Sequence, residues 1–351
     1  MANIRIEDLK QFCKAALIKE GMNEAHATVC ADVLTETDAY GTHSHGTKNL
    51  HNYIKKSRVG GVSFTADPEI VKDGPSFAVI DAHEAMGMVS SCMAMELACK
   101  KALQTGVAIV TVKNSCHFGA AGYYANMAAK RGMIGLSMSN VDPNMTAPGA
   151  RGMLLGNNPF AYAAPATSVP SLFLDIAMSN VASLKVIQAK KDGIKIPNTW
   201  LVDKDGLPTT DPSGYPNEGA MQPMAAHKGY GLAIMVDVLT GALCNGGMSM
   251  MDDIVSWCFE PEKPNNVCHS FLAINAGMFN GEYKLEDRVE SMSEKLRSAP
   301  KAKGSERIYT PGEIEWGKHV NAENNGIPLP ADVLSSLHVI SDESGIALLL
   351  Y

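Results

Sequence analysis

No stretch of this 351-residue chain is apolar for long enough to cross a bilayer; its longest apolar runs resemble Ile346–Tyr351. The opening residues, Met1-Ala2-Asn3-Ile4-Arg5, lack the apolar core of a secretory signal, so a cytoplasmic protein with no membrane partner is expected. None of the eight cysteines forms a Cys-x-x-Cys pair, which argues against a zinc knuckle, and a chain this long needs no disulfide framework. No Lys/Arg run exceeds two residues and the formal net charge is −7, which excludes the basic stripe of a nucleic-acid binder. A Gly-x-Gly-x-x-Gly after a strand and a Walker lysine motif are also missing, which disfavours a conventional Rossmann half or a P-loop. Repeats and low-complexity tracts are absent. What remains, 46% hydrophobic and 19% charged, is an ordinary globular balance.

Leu9, Phe12, Cys13, Ala16 and Leu17 recur at helical spacing up to Gly21. Asn23 is placed to cap a second helix carrying Ala27, Cys30, Ala31 and Leu34. A third helical stretch holds Leu50, Tyr53 and Ile54 and is broken by Gly60-Gly61. Beyond Gly74-Pro75 the pattern changes. Short strands are expected at Phe77–Asp81, Val107–Val112, Ile134–Ser139, Phe160–Ala163, Leu172–Asp175 and Trp200–Val202, with helices over Ser90–Thr105 and Gly122–Lys130. Such alternation predicts an α/β layer fold. Gly231–Leu243 reads as a strong helix with Leu232, Val236, Leu239 and Leu243 on one face. Further helices are expected near Leu285–Ser298 and Pro330–Leu337, with a loop at Thr310–Glu313.

Three constellations carry chemistry. The loop Gly41-Thr-His-Ser-His-Gly46 sets His43, Ser44 and His45 between helices, and imidazole exchanges protons near neutral pH. These side chains could instead only cap the helices. A metal held by His43 and His45 lacks a third ligand, and Ser44 as a hydrolytic nucleophile lacks the Gly-x-Ser-x-Gly turn. The second, Asn114-Ser-Cys-His-Phe-Gly119, follows a strand and precedes a helix. There His117 would tend to stay neutral and able to accept a proton. The next strand ends in Asn140-Val-Asp-Pro143; if the two strands are neighbours, Asp142 lies near His117 and can orient its ring. The third is a pair of anion-friendly turns, Asp175-Ile-Ala-Met-Ser-Asn180 and His227-Lys-Gly-Tyr-Gly231, each opening a helix. Plain helix entry explains the second equally well.

In chain order, Gly41-Thr-His-Ser-His-Gly46, Gly156-Asn-Asn-Pro-Phe-Ala161, Leu174-Asp-Ile-Ala-Met-Ser179, Ile196-Pro-Asn-Thr-Trp200, Asp203-Lys-Asp-Gly206, Pro208-Thr-Thr-Asp-Pro212 and Lys228-Gly-Tyr-Gly-Leu232 resemble the malate/L-lactate dehydrogenase family that is unrelated to the Rossmann-type enzymes of those names. The resemblance implies a layered mixed α/β sheet of non-Rossmann dinucleotide-binding type with an accompanying helical domain, NAD or NADP as cofactor, a small anionic substrate and a homodimer. It divides the chain into a helical unit at 1–74 completed by C-terminal segments, an α/β cofactor-binding region at 75–250, and segments from 251–351 packing back on both. It places His45 and His117 at proton-transfer positions, with Ser44 and Asp142 beside them. It places Asn140, Asp175, Ile176, Ala177, Met178, Ser179, Asn180, Val181, His227, Lys228, Pro311, Gly312 and Glu313 along the cofactor. Lys48, Asn49 and Tyr53 are the residues expected next to the substrate. Relatives usually carry an arginine where this chain has Asn49, and the adjacent Lys48 cannot reproduce a bidentate guanidinium. Asn157 stands where many relatives have threonine. The implied activity is interconversion of a small 2-hydroxy acid, malate- or lactate-like, and its 2-oxo acid. Ureidoglycolate dehydrogenase, a reductase of a diketo sugar acid or cyclic imine, and a non-catalytic metabolite binder are the alternatives.

Overall fold

The structure, a computed structural model, describes residues 2–279, 281 and 283–351. The N-terminal apolar stripe folds as expected. After β1 (Asn3–Ile4), α1 (Ile6–Lys19) buries Leu9, Phe12, Cys13, Ala16 and Leu17. Asn23 caps α2 (Glu24–Ala39) by accepting the His26 N–H at 2.8 Å. A 3-10 turn at Thr47–Asn49 leads into α3 (Leu50–Arg58).

The strands β2 (Glu69–Asp73) and β3 (Phe77–Asp81) form a hairpin, and α4 (Gly87–Thr105) crosses over to β4 (Val107–Ser115), parallel to β3. Then come α5 (Ala121–Ala129), β5 (Ile134–Ser139), β6 (Phe160–Pro165) and β7 (Ser171–Ile176). A smaller unit follows: α6 (Ser183–Asp192) and a three-stranded sheet of β8 (Leu201–Val202), β9 (Pro208–Thr209) and β10 (Ala220–Met221). Helix α7 (His227–Asp237) continues into a π-helical segment, Val238–Ala242. The chain ends with β11 (Val267–Ile274), α8 (Leu285–Arg297), α9 (Glu313–Asn325), β12 (Ile327–Pro328) and α10 (Ala331–Ser344).

The large sheet has seven strands in the order β2-β3-β4-β11-β5-β6-β7, and only the β3–β4 pair is parallel. Residues 75–250 supply five of these strands; the edge strand β2 precedes them and the central strand β11 follows them. The last helices return to the first ones: β12 pairs with β1, α9 packs on α2, and α10 packs on α3 and the turn before it. The main core fills the space between these helices and the sheet. A second, smaller core holds Met145, Leu155, Met178, Val186, Tyr215 and Met221. No helix among the described residues is long and apolar enough to cross a membrane.

One strand had no expectation from the sequence, and one expected helix needs correction. The run Val267–Ile274 is the middle of the sheet, although Cys268, His269 and Ser270 interrupt its apolar pattern. It is nearly all buried on both faces, so it shows no alternation to read. The helix expected at Gly231–Leu243 begins earlier, at His227, and its inward face is made of small or polar residues: Gly229, Ala233, Val236, Asp237 and Thr240. Leu232 and Leu243 are 39% and 55% exposed; Leu243 follows the wider π turn, which rotates later residues off the line that a 3.6-residue period predicts.

Phe271 is fully buried in β11 opposite Val110 and Ser137. Phe271→Ala is expected to lower stability by about 3–5 kcal/mol, read as a lower urea midpoint with an unchanged slope.

Candidate active site

The first histidine loop is shaped by a residue that sequence reasoning passed over. Asp38, buried in the last turn of α2, accepts the Thr47 N–H at 2.9 Å and the Thr47 hydroxyl at 2.5 Å, and meets His43 Nδ1 at 2.9 Å. A Cβ on Gly46 would run into that carboxylate, so the loop closes only with glycine there. Asn49 donates its side-chain N–H to the Ser44 carbonyl at 2.9 Å, and Ser44 Oγ lies 2.9 Å from His45 Nδ1. His43 is thereby turned to Asp38 and does not share a metal-like site with His45.

The second histidine hangs from the end of β4. Its backbone N–H donates to Asn265 Oδ1 at 3.0 Å, and its Nδ1 lies 2.5 Å from Tyr53 Oη. The Gly119 N–H also points at Nδ1, at 3.4 Å, near the long limit for a hydrogen bond. Nδ1 is therefore engaged, and Nε2 is the nitrogen left to face another group. The two imidazoles stack with centroids 5.6 Å apart and planes 28° apart. Trp257 lies against His117 at 4.6 Å and 14°, and against Tyr53 at 5.0 Å. Burial holds the pKa of His117 well below its usual 6.5, with the charges of His45 and His269 adding to the effect, and burial alone lowers that of His45. Tyr53 is pushed well above 10 by burial, so its hydroxyl keeps its proton. Two neutral rings, one backed by a phenol that can give or accept a hydrogen bond, suit transfer of a single proton.

His45 and Ser44 form part of the wall of a cavity of about 250 Å³, closed by Gly119–Tyr123, Phe173–Ala177, Gly312 and Glu315. His117 stacks behind His45, outside that lining. Asp175 is open to the cavity yet surrounded by protein, so desolvation raises its pKa to about 6, and the charge of Glu315 adds to this. It accepts the Gly122 N–H at 2.7 Å in the first turn of α5. Gly312, with φ at +84°, lies so close to Phe173 that no side chain fits. The turn Met178–Asn180 lies on the turn that opens α7: Met224 N–H donates to the Met178 carbonyl at 2.7 Å, and Asn180 N–H to the Gln222 carbonyl at 2.9 Å. Both anion-friendly turns therefore adjoin, with His227 and Lys228 exposed at the helix start.

Several expected residues prove to have other partners. Strands β4 and β5 are not neighbours, since β11 lies between them, so strand pairing does not bring Asp142 to His117. Asp142 instead lies beside Ser256 on the loop that carries Trp257, and burial raises its pKa. Asn140 is fully buried. Its amide donates to Asp237 Oδ1 at 2.9 Å and to the Gly247 carbonyl at 2.8 Å, and its oxygen accepts the Cys268 N–H at 2.8 Å, so both of its amide hydrogens are engaged inside the protein. Lys48 is drawn away to Asp332, at 2.6 Å, and so does not stand in for the missing arginine. Glu313 is held by Arg297, Arg307 and Thr310, which, against the opposing effect of burial, bring its pKa down to about 2; Gly312 and Glu315 reach the cavity instead. Tyr53 faces His117 from the protein side. Ser179 donates to the Val181 carbonyl at 2.7 Å, and Asn180 holds the Thr199 and Pro223 carbonyls, so both brace the turn.

The sequence from residue 4 to 338 matches the family model described as malate/L-lactate dehydrogenase. The chain belongs to that family. Malate dehydrogenase of Pyrococcus horikoshii is 37% identical over 345 residues, covering 96% of this chain and 94% of that protein. Ureidoglycolate dehydrogenase (NAD(+)) of Escherichia coli K12 is 34% identical, covering 96% and 94%. The solved structure of sulfolactate dehydrogenase from Methanocaldococcus jannaschii superposes with a TM-score of 0.90 at 34% identity, covering 99% of this chain and 98% of that one. Family membership makes this protein an oxidoreductase of the 2-hydroxy acid dehydrogenase type that works with a nicotinamide cofactor, and the mixed sheet with its flanking helices is the family's fold.

Asp38, Trp257, Asn265 and His269 carried no motif signal. The only hint was an acidic residue one turn beyond the buried positions of α2. Asp38→Ala leaves the Thr47 N–H and hydroxyl without their buried acceptor, and is expected to cost about 1–3 kcal/mol, read from urea unfolding.

Proposed function

We propose that this protein reversibly oxidises a small, malate- or lactate-like 2-hydroxy acid to its 2-oxo acid, with His117 as the proton-transfer residue and His45 beside it. The observation that carries this reading is the stacking of the two imidazoles, from segments 72 positions apart (117 − 45), beside one cavity. The nicotinamide, when bound, supplies the hydride acceptor or donor. The residues around the cavity fit such a group: the stretch Gly119–Gly122 that leads into α5 presents backbone with almost no side chain, and Lys228, outside the cavity wall, stands exposed at the start of α7 for an anionic portion. Asp175, Ile176, Ala177 and Gly312 would line the same groove.

In the oxidative direction His117 Nε2 takes the substrate hydroxyl proton, while Tyr53 accepts the Nδ1–H and steadies the imidazolium. Reduction runs the same transfer backwards. Burial keeps His117 neutral before the step, which is the state a base needs. Ser44, bonded to His45, sets the orientation of the second ring. Asn49 takes part by holding the Ser44 carbonyl and so the loop.

A second reading, reduction of a cyclic imine, whose protonated nitrogen is cationic, is favoured by the charge of the wall; the negative wall lends no such support to a diketo sugar acid. Among the described residues Asp175 and Glu315 line the cavity and no lysine or arginine does, with Lys48 paired to Asp332. The same two carboxylates would repel an additional phosphate, which supports NAD over NADP. The homodimer remains part of the proposal, supported by exposed apolar Leu232, Met235 and Val238 along one side of α7 and its continuation. A cytoplasmic location is proposed with it.

Three measurements test this reading. Initial rates with NADH and NADPH on oxaloacetate, pyruvate, diketogulonate and a cyclic imine should be highest for a 2-oxo acid with NADH; turnover on none of them would sink the enzyme reading. His117→Ala should lower turnover roughly 10²–10⁴-fold while cofactor affinity is nearly kept; an unchanged turnover would move the role to His45. Because the His117 pKa lies well under 6.5, protonation removes the base only at acidic pH. Oxidative kcat/KM should then stay level from pH 6.5 upward and fall below it, and an acidic limb centred at 6.5 or higher would contradict the assignment.

A further inference from the structure

Two thiols meet beside β11, at the end of the helix that α7 begins. Cys244 follows the π segment that continues α7, and Cys268 sits in β11 at the register shift between Val267 and His269. Opposite that shift the β4 backbone takes a left-handed residue, Asn114 with φ at +52°. Both sulfurs point to one spot, the place a Cβ on Gly246 would occupy. That point lies 3.2 Å from Cys244 Sγ and overlaps Cys268 Sγ. Glycine at 246 is thus what lets the two side chains converge. Neither thiol has a strong partner elsewhere: Cys244 Sγ lies 3.8 Å and 3.9 Å from the Gly241 and Val112 carbonyls, and Cys268 Sγ lies 4.0 Å from that of Asn266. The Lys113 stem passes 3.0 Å from the same spot.

We propose that Cys244 and Cys268 form a reversible dithiol–disulfide site, closed by a hydroperoxide and opened by a thiol reductant. The pair is unlike the other cysteines of the chain. Cys244 is the only one of the eight whose pKa is lowered, first by a hydrogen bond from Cys268 and further by the Lys113 charge, while Cys268 keeps its proton. Cys13, Cys30 and Cys116 are deeply buried and raised, and Cys258 is exposed but alone. In the first step the Cys244 thiolate attacks one peroxide oxygen. The O–O bond breaks, a sulfenic acid forms, and the leaving oxygen departs as water or alcohol after taking a proton from solvent. In the second, Cys268 Sγ attacks Cys244 Sγ, the S–O bond breaks, and the departing hydroxide takes the Cys268 proton as water. Two thiols lose two electrons and two protons in all, and the peroxide is reduced by the same two electrons. Asn245, exposed beside Cys244, marks the side from which a small peroxide reaches it. The bond would tie the end of the α7 helix to the strand residue next to His269.

The test is peptide mapping of the full-length protein, with Cys258→Ser used to prevent cross-linking between molecules. After hydrogen peroxide, two fewer thiols should titrate, and a peptide pair joining Cys244 to Cys268 should appear and revert with dithiothreitol. In Cys268→Ala, dimedone should label Cys244 as a sulfenic acid. Because the mapping needs neither of those two cysteines changed, a folding defect in the Ala variant leaves the result intact. Two free thiols at 244 and 268 under peroxide conditions that fully oxidise Cys258 of the unsubstituted protein, or pairing of either with a different cysteine, would overturn the proposal.

Discussion

The whole site depends on one buried strand and the histidine it carries. β11 enters the sheet between β4 and β5, antiparallel to both, so those two strands run the same way and release their loops at the same end. His269, with no exposed surface, lies within 2.9 Å of Ser115 Oγ at the end of β4 and of Ser139 Oγ at the end of β5, and its ring lies flat on Phe118 at 4.5 Å. Burial takes its pKa down to about 3, so this strap is neutral throughout the physiological range. A charged residue in the same place would face a desolvation cost that no partner there repays.

From that anchor the chemistry is built outward in shells of decreasing burial. Ser115 and Cys116 fix where the chain leaves β4, Asn265 catches the His117 N–H, and Tyr53 takes its Nδ1. The covering loop is tied down from two sides. Asn265 donates to the Val255 carbonyl, and the buried Lys56 ammonium donates to the Lys263 carbonyl at 2.5 Å and lies 3.4 Å from that of Pro261. Burial lowers the Lys56 pKa, in keeping with an ammonium that meets carbonyl dipoles in place of a carboxylate. Trp257, on this loop, then closes over His117. The other histidine is set by an independent device, the Asp38 carboxylate with its close approach to Gly46. Two separately braced rings arriving in stacking distance is the arrangement the proposed proton transfer uses.

Much of this was legible in the chain. The helices of the first sixty residues and the strands at Phe77–Asp81 and Ile134–Ser139 follow from periodicity, because each has one buried and one open face or a compact β-branched run. The two histidine loops could be found because glycines and polar residues cluster where strands and helices end. Other parts left no local trace. Val267–Ile274 is buried on both faces, so periodicity is silent there. The family resemblance placed Asn140 along the cofactor, and its three hydrogen bonds inside the protein could not be read from its neighbours in the chain.

The amino-acid order by itself determined which groups are available: two imidazoles in glycine-bounded loops, an asparagine at position 49, and no dinucleotide fingerprint. Those are properties of neighbouring residues, and local chemistry suffices to read them. Only tertiary structure decided that Tyr53 faces His117, that Lys48 turns to Asp332, and that β11 lies between the two strands that lead to His117 and Asp142. Each of these depends on pairings across long stretches of chain, where the burial of one residue is set by side chains that no nearby position records.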